Sequence, residues 1–115
     1  LAMVEAARAL AERAQAKKLV VFTLRGVTAR LLASRRPPVE VIALTPREET
    51  RRSLTLAFGT RSFLLPRVLS TDQMMRNGVH LIRRERVVRR GDRVVLLAGA
   101  ANLPEATNLL RLVTI

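Results

Sequence analysis

The residues able to carry chemistry are few, and their identities narrow that chemistry at once. His80 is the only histidine and cysteine is absent, so no thiolate nucleophile, Cys-rich zinc site or multi-histidine metal site can be assembled. Any Ser–His pair would have to use His80. That residue follows Met75 and Val79 in a helical pattern, where it reads as a packed or surface side chain rather than a catalytic one. No set of acid, base and metal ligands emerges. The expectation is therefore no catalytic residue, no metal site and no cofactor.

One segment does combine groups with a chemical use. Leu19-Val20-Val21-Phe22-Thr23 is a continuous apolar, β-branched run; Leu24-Arg25-Gly26-Val27 follows, and a helical pattern begins at Thr28. A strand, a glycine turn and a helix in that order bring together free backbone N–H groups, the hydroxyls of Thr23 and Thr28, and the positive end of a helix dipole. Such a turn is an anion cradle. It has neither the GxxxxGK[ST] pattern of a P-loop nor GxGxxG, so neither nucleotide hydrolysis nor dinucleotide binding follows from it. Turns of this kind occur throughout α/β domains, and a purely structural glycine is the alternative.

Charge points the same way without deciding the ligand. Twenty-one basic residues against nine acidic leave a net charge of +12, which attracts nucleic acid, anionic lipid or phosphorylated metabolites alike. All the basic residues except Lys17 and Lys18 are arginine, dense at Arg51-Arg52, Arg83-Arg84, Arg86 and Arg89-Arg90. Three Phe with no Tyr or Trp provide poorly for base stacking, so specific nucleic-acid recognition is not expected. The excess reads either as a solvated arginine-rich surface or as a basic α/β module that binds nucleic acid nonspecifically through Arg83–Arg93. A small phosphotransfer or hydrolase enzyme is a third class. The charged fraction of 26% and the lack of any apolar run near the roughly 20 residues of a spanning helix exclude a membrane protein. A cytoplasmic location is expected from the missing cysteines and the missing signal-peptide pattern. The chain opens Leu1-Ala2-Met3-Val4 directly into a helical pattern and reads as a piece of something longer.

The elements that must hold the turn follow from periodicity. Residues 3–18 form an amphipathic helix with Val4, Ala7, Leu10, Ala11 and Ala14 on its apolar face and Glu5, Arg8, Glu12 and Gln15 opposite; Lys17 and Lys18 sit at its end, complementing the dipole. A helix from Thr28 to Arg35 is stopped by Arg36-Pro37-Pro38. Val39–Leu44 is a second buried strand. Thr45 then caps a helix with Pro46 in its first position and Glu48 reaching back, running to Phe58 before Gly59. Ser62–Leu65 is a third strand, and Ser70-Thr71-Asp72-Gln73 starts a helix with Met75, Val79 and Ile82 in register. Arg90-Gly91-Asp92-Arg93 turns into the strand Val94–Ala98, Gly99 ends it, and after an irregular stretch to Thr107 the chain finishes in a strand from Leu109 to Ile115. Strands alternating with helices predict one α/β domain over 1–115, a three-layer α/β/α sandwich on a five-stranded, mostly parallel sheet.

Four blocks, in order, resemble a known family. Val20-Val21-Phe22-Thr23-x-x-Gly26-x-Thr28-Ala29-Arg30, Arg36-Pro37-x-x-x-Val41-Ile42-Ala43-Leu44-Thr45-Pro46, Gly91-Asp92-x-Val94-Val95-Leu96-Leu97-Ala98-Gly99 and Thr107-Asn108-Leu109-Leu110-Arg111 are similar to the C-terminal α/β domain of pyruvate kinase. The resemblance implies strand order 3-2-1-4-5 with strand 5 antiparallel, and a crevice between the Thr23–Thr28 turn and the Gly99–Thr107 loop where that family binds phosphorylated activators. It gives Thr23, Gly26 and Thr28 the effector phosphate, with Arg25 adding a charge-assisted contact and Thr107 on the loop that closes over the sugar. It further implies a regulatory and oligomerisation domain of a glycolytic enzyme. Catalysis would reside in a separate barrel domain, and a homodimer would form through the 109–115 edge strand. Leu24-Arg25 stands where many members carry Glu-Ser, and Pro104-Glu105-Ala106 replaces a glycine-rich loop, placing a carboxylate near the expected anion.

Overall fold

The computed structural model describes residues 2–98 and 109–115. Five strands, β1 (Lys18–Phe22), β2 (Glu40–Thr45), β3 (Thr60–Leu64), β4 (Arg93–Ala98) and β5 (Leu109–Thr114), form one sheet in the order β3-β2-β1-β4-β5. Neighbours are parallel except β4 and β5, which run antiparallel with Ala98 opposite Leu109. The expected order and the reversed last strand are both present.

Alternation along the central strands explains why they read as unbroken apolar runs. Leu19, Val21, Val41, Ala43, Val95 and Leu97 face one layer, packing with Val4, Ala7 and Ala11 of α1 (Ala2–Arg13), Ala29 and Leu32 of α2 (Val27–Ser34), and Leu54. Val20, Phe22, Ile42, Leu44, Val94 and Leu96 face the other, against Met75, Leu81 and Ile82 of α4 (Thr71–Arg84) and the buried pair Val87 and Val88. A strand covered on both sides has no polar face to show. Helix α4 approaches the sheet closely because Gly78 lacks a side chain: a Cβ there would lie 2.7 Å from the Phe22 ring and 3.1 Å from Leu44.

Several boundaries differ from expectation. Helix α1 ends at Arg13 rather than 18; Gln15 takes a left-handed φ of 54° to turn the chain, and Leu10 and Ala14 are only half-buried. Lys18 belongs to β1, not to a helix end, and its ammonium meets Glu40 at 2.8 Å. Thr45 is the last residue of β2, where its hydroxyl accepts from the Arg47 N–H at 3.2 Å. The helix starts only at Glu48, because pairing of β2 with β3 extends to Thr45 and delays it. That helix, α3 (Glu48–Ser53), stops early and passes into a single 3-10 turn at Leu54–Leu56, and β3 begins two residues before the expected Ser62.

The N-terminal edge of the sheet is fixed by one ion triad. Glu40 accepts from Lys18 of β1 and, through both oxygens, from Arg61 of β3 at 2.6 and 2.8 Å. The bidentate Arg61 fork holds the Glu40 carboxyl below its ordinary range, with Lys18 adding to the effect against partial desolvation.

Candidate anion site at the sheet switch point

Chain winding changes direction beside β1: the α2 connection leads outward to β2, whereas the α4 connection returns to place β4 on the other side. The carboxyl end of β1 therefore opens at a topological switch point, the usual place for a ligand in such sheets. The Thr23–Thr28 turn lies there.

Its conformation is over-determined. Thr23 is buried at the end of β1, and its backbone N–H donates to the Leu44 carbonyl at 2.9 Å. The Thr23 hydroxyl accepts from the Gly26 N–H at 2.8 Å. Gly26 is the N-cap of α2 with φ 90° and ψ 0°, a left-handed geometry that strains any residue with a Cβ. Below the turn, the Leu24 carbonyl accepts from the buried Thr50 hydroxyl at 2.9 Å and, more weakly, from Thr45 at 3.4 Å. Arg30 grips the turn from one helical turn beyond, donating to the Arg25 carbonyl at 3.0 Å and to the Ser53 hydroxyl at 2.7 Å.

This arrangement spends the Gly26 amide internally and leaves the next three without an intrahelical acceptor. The first helical bond is from the Arg30 N–H to the Gly26 carbonyl, so the amides of Val27, Thr28 and Ala29 have no intrahelical acceptor. No side chain caps them and no acidic residue occupies the first turn of α2. Thr28, second in the helix, is half-buried, and the Arg25 side chain is exposed. A cleft of about 30 Å³ opens beside Thr23 and Leu24, with Arg67 as the one charged residue in its lining.

Of the residues singled out from sequence, Thr23, Arg25, Gly26 and Thr28 thus share one turn, while Thr107 and the Gly99–Asn108 loop lie outside the described residues. His80 is exposed on α4, near Leu65 and Pro66 but not in the lining of the cleft beside Thr23, and Asp92 serves a turn of its own, accepting from the Arg89 N–H at 2.8 Å. No cluster of three metal-ligating side chains occurs among the described residues. Arg30, Thr45, Thr50 and Arg67 were not read from sequence as part of the site. Arg30 stands in one of the blocks of the resemblance, but its tie to Ser53 spans 23 residues of chain.

A family model described as pyruvate kinase, alpha/beta domain, matches residues 1–113. The chain belongs to the pyruvate kinase α/β domain family. A pyruvate kinase of Mycobacterium tuberculosis is 41% identical over 95 residues, covering 83% of this chain and 20% of the relative. One from Methylorubrum extorquens is 36% identical over 112 residues, covering 96% of this chain and 23% of the relative. Among solved structures, Cryptosporidium parvum pyruvate kinase in complex with ADP superposes with a TM-score of 0.85 at 28% identity, over 98% of this chain and 23% of that one. The chain spans about a fifth of the length of these pyruvate kinases.

Proposed function

We propose that this pyruvate kinase α/β domain is a regulatory and assembly module that binds a phosphorylated effector at the Thr23–Thr28 turn and contributes no catalytic residue. The observation that carries the reading is the α2 N-terminus: three amides without intrahelical acceptors, on a turn held by Thr23 and Arg30, with no carboxylate in its first turn. The phosphate sits on the Val27, Thr28 and Ala29 amides, the Thr23 and Thr28 hydroxyls donate to it, and Arg25 swings in from solvent as a charge-assisted partner. Thr107, outside the described residues, is assigned to the same effector in this reading. The catalytic barrel of the same enzyme is the domain's covalent partner, and its setting is cytoplasmic glycolysis.

Assembly follows from the sheet edge. β5 pairs with β4 on one side only, and Leu112 on it is exposed, so its outer row of N–H and C=O groups accepts a second β5 in an isologous homodimer.

Calorimetric titration with inorganic phosphate and with hexose phosphates tests the effector site. Saturable binding is expected for the native chain and none for Gly26→Val, with circular dichroism confirming that the variant is folded. Unchanged affinity in a folded Gly26→Val chain would refute it. For assembly, sedimentation should give a dimer that Leu112→Pro converts to monomer; a dimer indifferent to the proline would move the interface elsewhere.

A further inference from the structure

The effector site accounts for little of the +12 charge, and much of the rest is concentrated at the other end of the molecule. Helix α4 follows β3 and precedes the parallel β4, so it runs back along the sheet toward the strands' amino ends. Arg76, His80 and Arg83 recur on its outer face at helical spacing, all exposed, along about 10 Å of axis. Past the helix, on the segment leading into β4, Arg86, Arg89 and Arg90 are also exposed. Arg111 of β5 faces Arg76 and Arg83 across a shallow groove floored by Val79, Leu96 and Val113.

The ion pairing of these arginines is sparse. Among the described residues Arg76, Arg83, Arg86, Arg89 and Arg90 meet no carboxylate side chain, although Arg76 donates to the neutral Gln73. Asp72 faces Arg111 at 3.7 Å, Glu85 faces Arg84 at 3.7 Å, and the Asp92 carboxylate is held by a backbone amide. On the opposite face of the sheet four arginines are paired, Arg35 with Glu5, Arg47 with Glu49, and Arg51 and Arg52 with Glu48, whereas Arg30 donates to neutral oxygens and Arg36 stacks on Phe58.

We infer that the α4 stripe from Arg76 to Arg90 is a docking surface for the phosphate backbone of duplex nucleic acid, bound without sequence preference. Guanidinium groups match phosphate with a two-pronged donor geometry that ammonium lacks. No Phe, Tyr or Trp lies between Arg76 and Arg93, so apart from the His80 ring the stripe offers no platform for unpaired bases and is suited to holding backbone. The apolar face of α4 is already buried through Met75, Leu81 and Ile82, which leaves none of the amphipathic surface that an interfacial membrane helix needs.

Fluorescence anisotropy with a labelled random 20-base-pair duplex at graded salt tests the surface, using a triple variant Arg76→Gln, Arg83→Gln, Arg90→Gln. A control, Arg35→Gln, Arg47→Gln, Arg52→Gln, loses the same charge from the opposite face. The stripe variant should lose at least tenfold in affinity at low salt, with the salt slope flattened by roughly three units, about 0.9 for each phosphate contact removed. The control should stay within threefold of the native chain. Equal losses in the two variants would overturn the stripe in favour of diffuse charge. Tighter binding to phosphatidylserine vesicles than to duplex, or no binding of duplex at any salt, would overturn the choice of partner. Phosphate titration at the Thr23–Thr28 turn should be unchanged in the stripe variant, so either reading can fail alone.

Discussion

Two helix N-termini in this molecule solve the same problem in opposite ways. At α4, Ser70 caps the helix by accepting from the Gln73 N–H at 3.2 Å, and Asp72 supplies a negative charge in the first turn. At α2 the cap is a left-handed glycine with no side chain, and no acid follows. One helix completes its own electrostatics; the other leaves its first amides open while Thr23, Thr50 and Arg30 hydrogen-bond to its turn. The proposed effector site rests on this open terminus and on the hydrogen bonds that hold its turn.

Gly26→Val attacks the contrast at its root and should have the largest effect. A Cβ at φ 90° would meet the Arg30 guanidinium at 2.8 Å, and the strained backbone costs about 1–3 kcal/mol; a lowered thermal midpoint together with lost phosphate binding is the expected result. Ser70→Ala removes the α4 cap and should cost about 1 kcal/mol in denaturant unfolding, with phosphate affinity at α2 untouched. Val27→Asp makes α2 resemble α4. The exposed first-turn position accepts the carboxylate, so stability should rise by a few tenths of a kcal/mol while phosphate affinity falls at least tenfold by titration. Stability and binding moving in opposite directions would distinguish a ligand site from a packing feature.

The smallest effect is confined to the far edge of the sheet. Arg61 and Lys18 depress the Glu40 carboxyl, so their stabilisation is fully present above the carboxyl's unfolded pKa and is lost as pH falls through its lower folded value. In this partly exposed triad it amounts to about 1 kcal/mol or less. Glu40→Gln should remove that acid dependence from the unfolding midpoint and leave binding at the turn unaltered at neutral pH.

Much of this was readable from residue order, because the informative features are local. Val20-Val21-Phe22 and Val94-Val95-Leu96-Leu97 are strands buried on both faces, and Ser70 three residues before Gln73 is a cap in the sequence as in the structure. The turn around Gly26 was legible for the same reason. What escaped was set by distant partners. Thr45 followed by Pro46 looks like a helix start, and only pairing with β3 keeps it in a strand. Thr50 and Arg30 support the turn through Leu24 and Ser53, 26 and 23 residues away in the chain. Gly78, inside a helical pattern, gives no local sign that its missing side chain seats α4 on Phe22.

The central claim is that the open amides of α2 hold a phosphate. Amide chemical shifts followed by NMR during titration with a hexose phosphate test it most directly. The account predicts saturable shifts at Val27, Thr28 and Ala29, with the α4 amides at Thr71–Gln73 unmoved. Shifts that appear at the arginines of α4 but not at Val27–Ala29, or that never saturate, would contradict it.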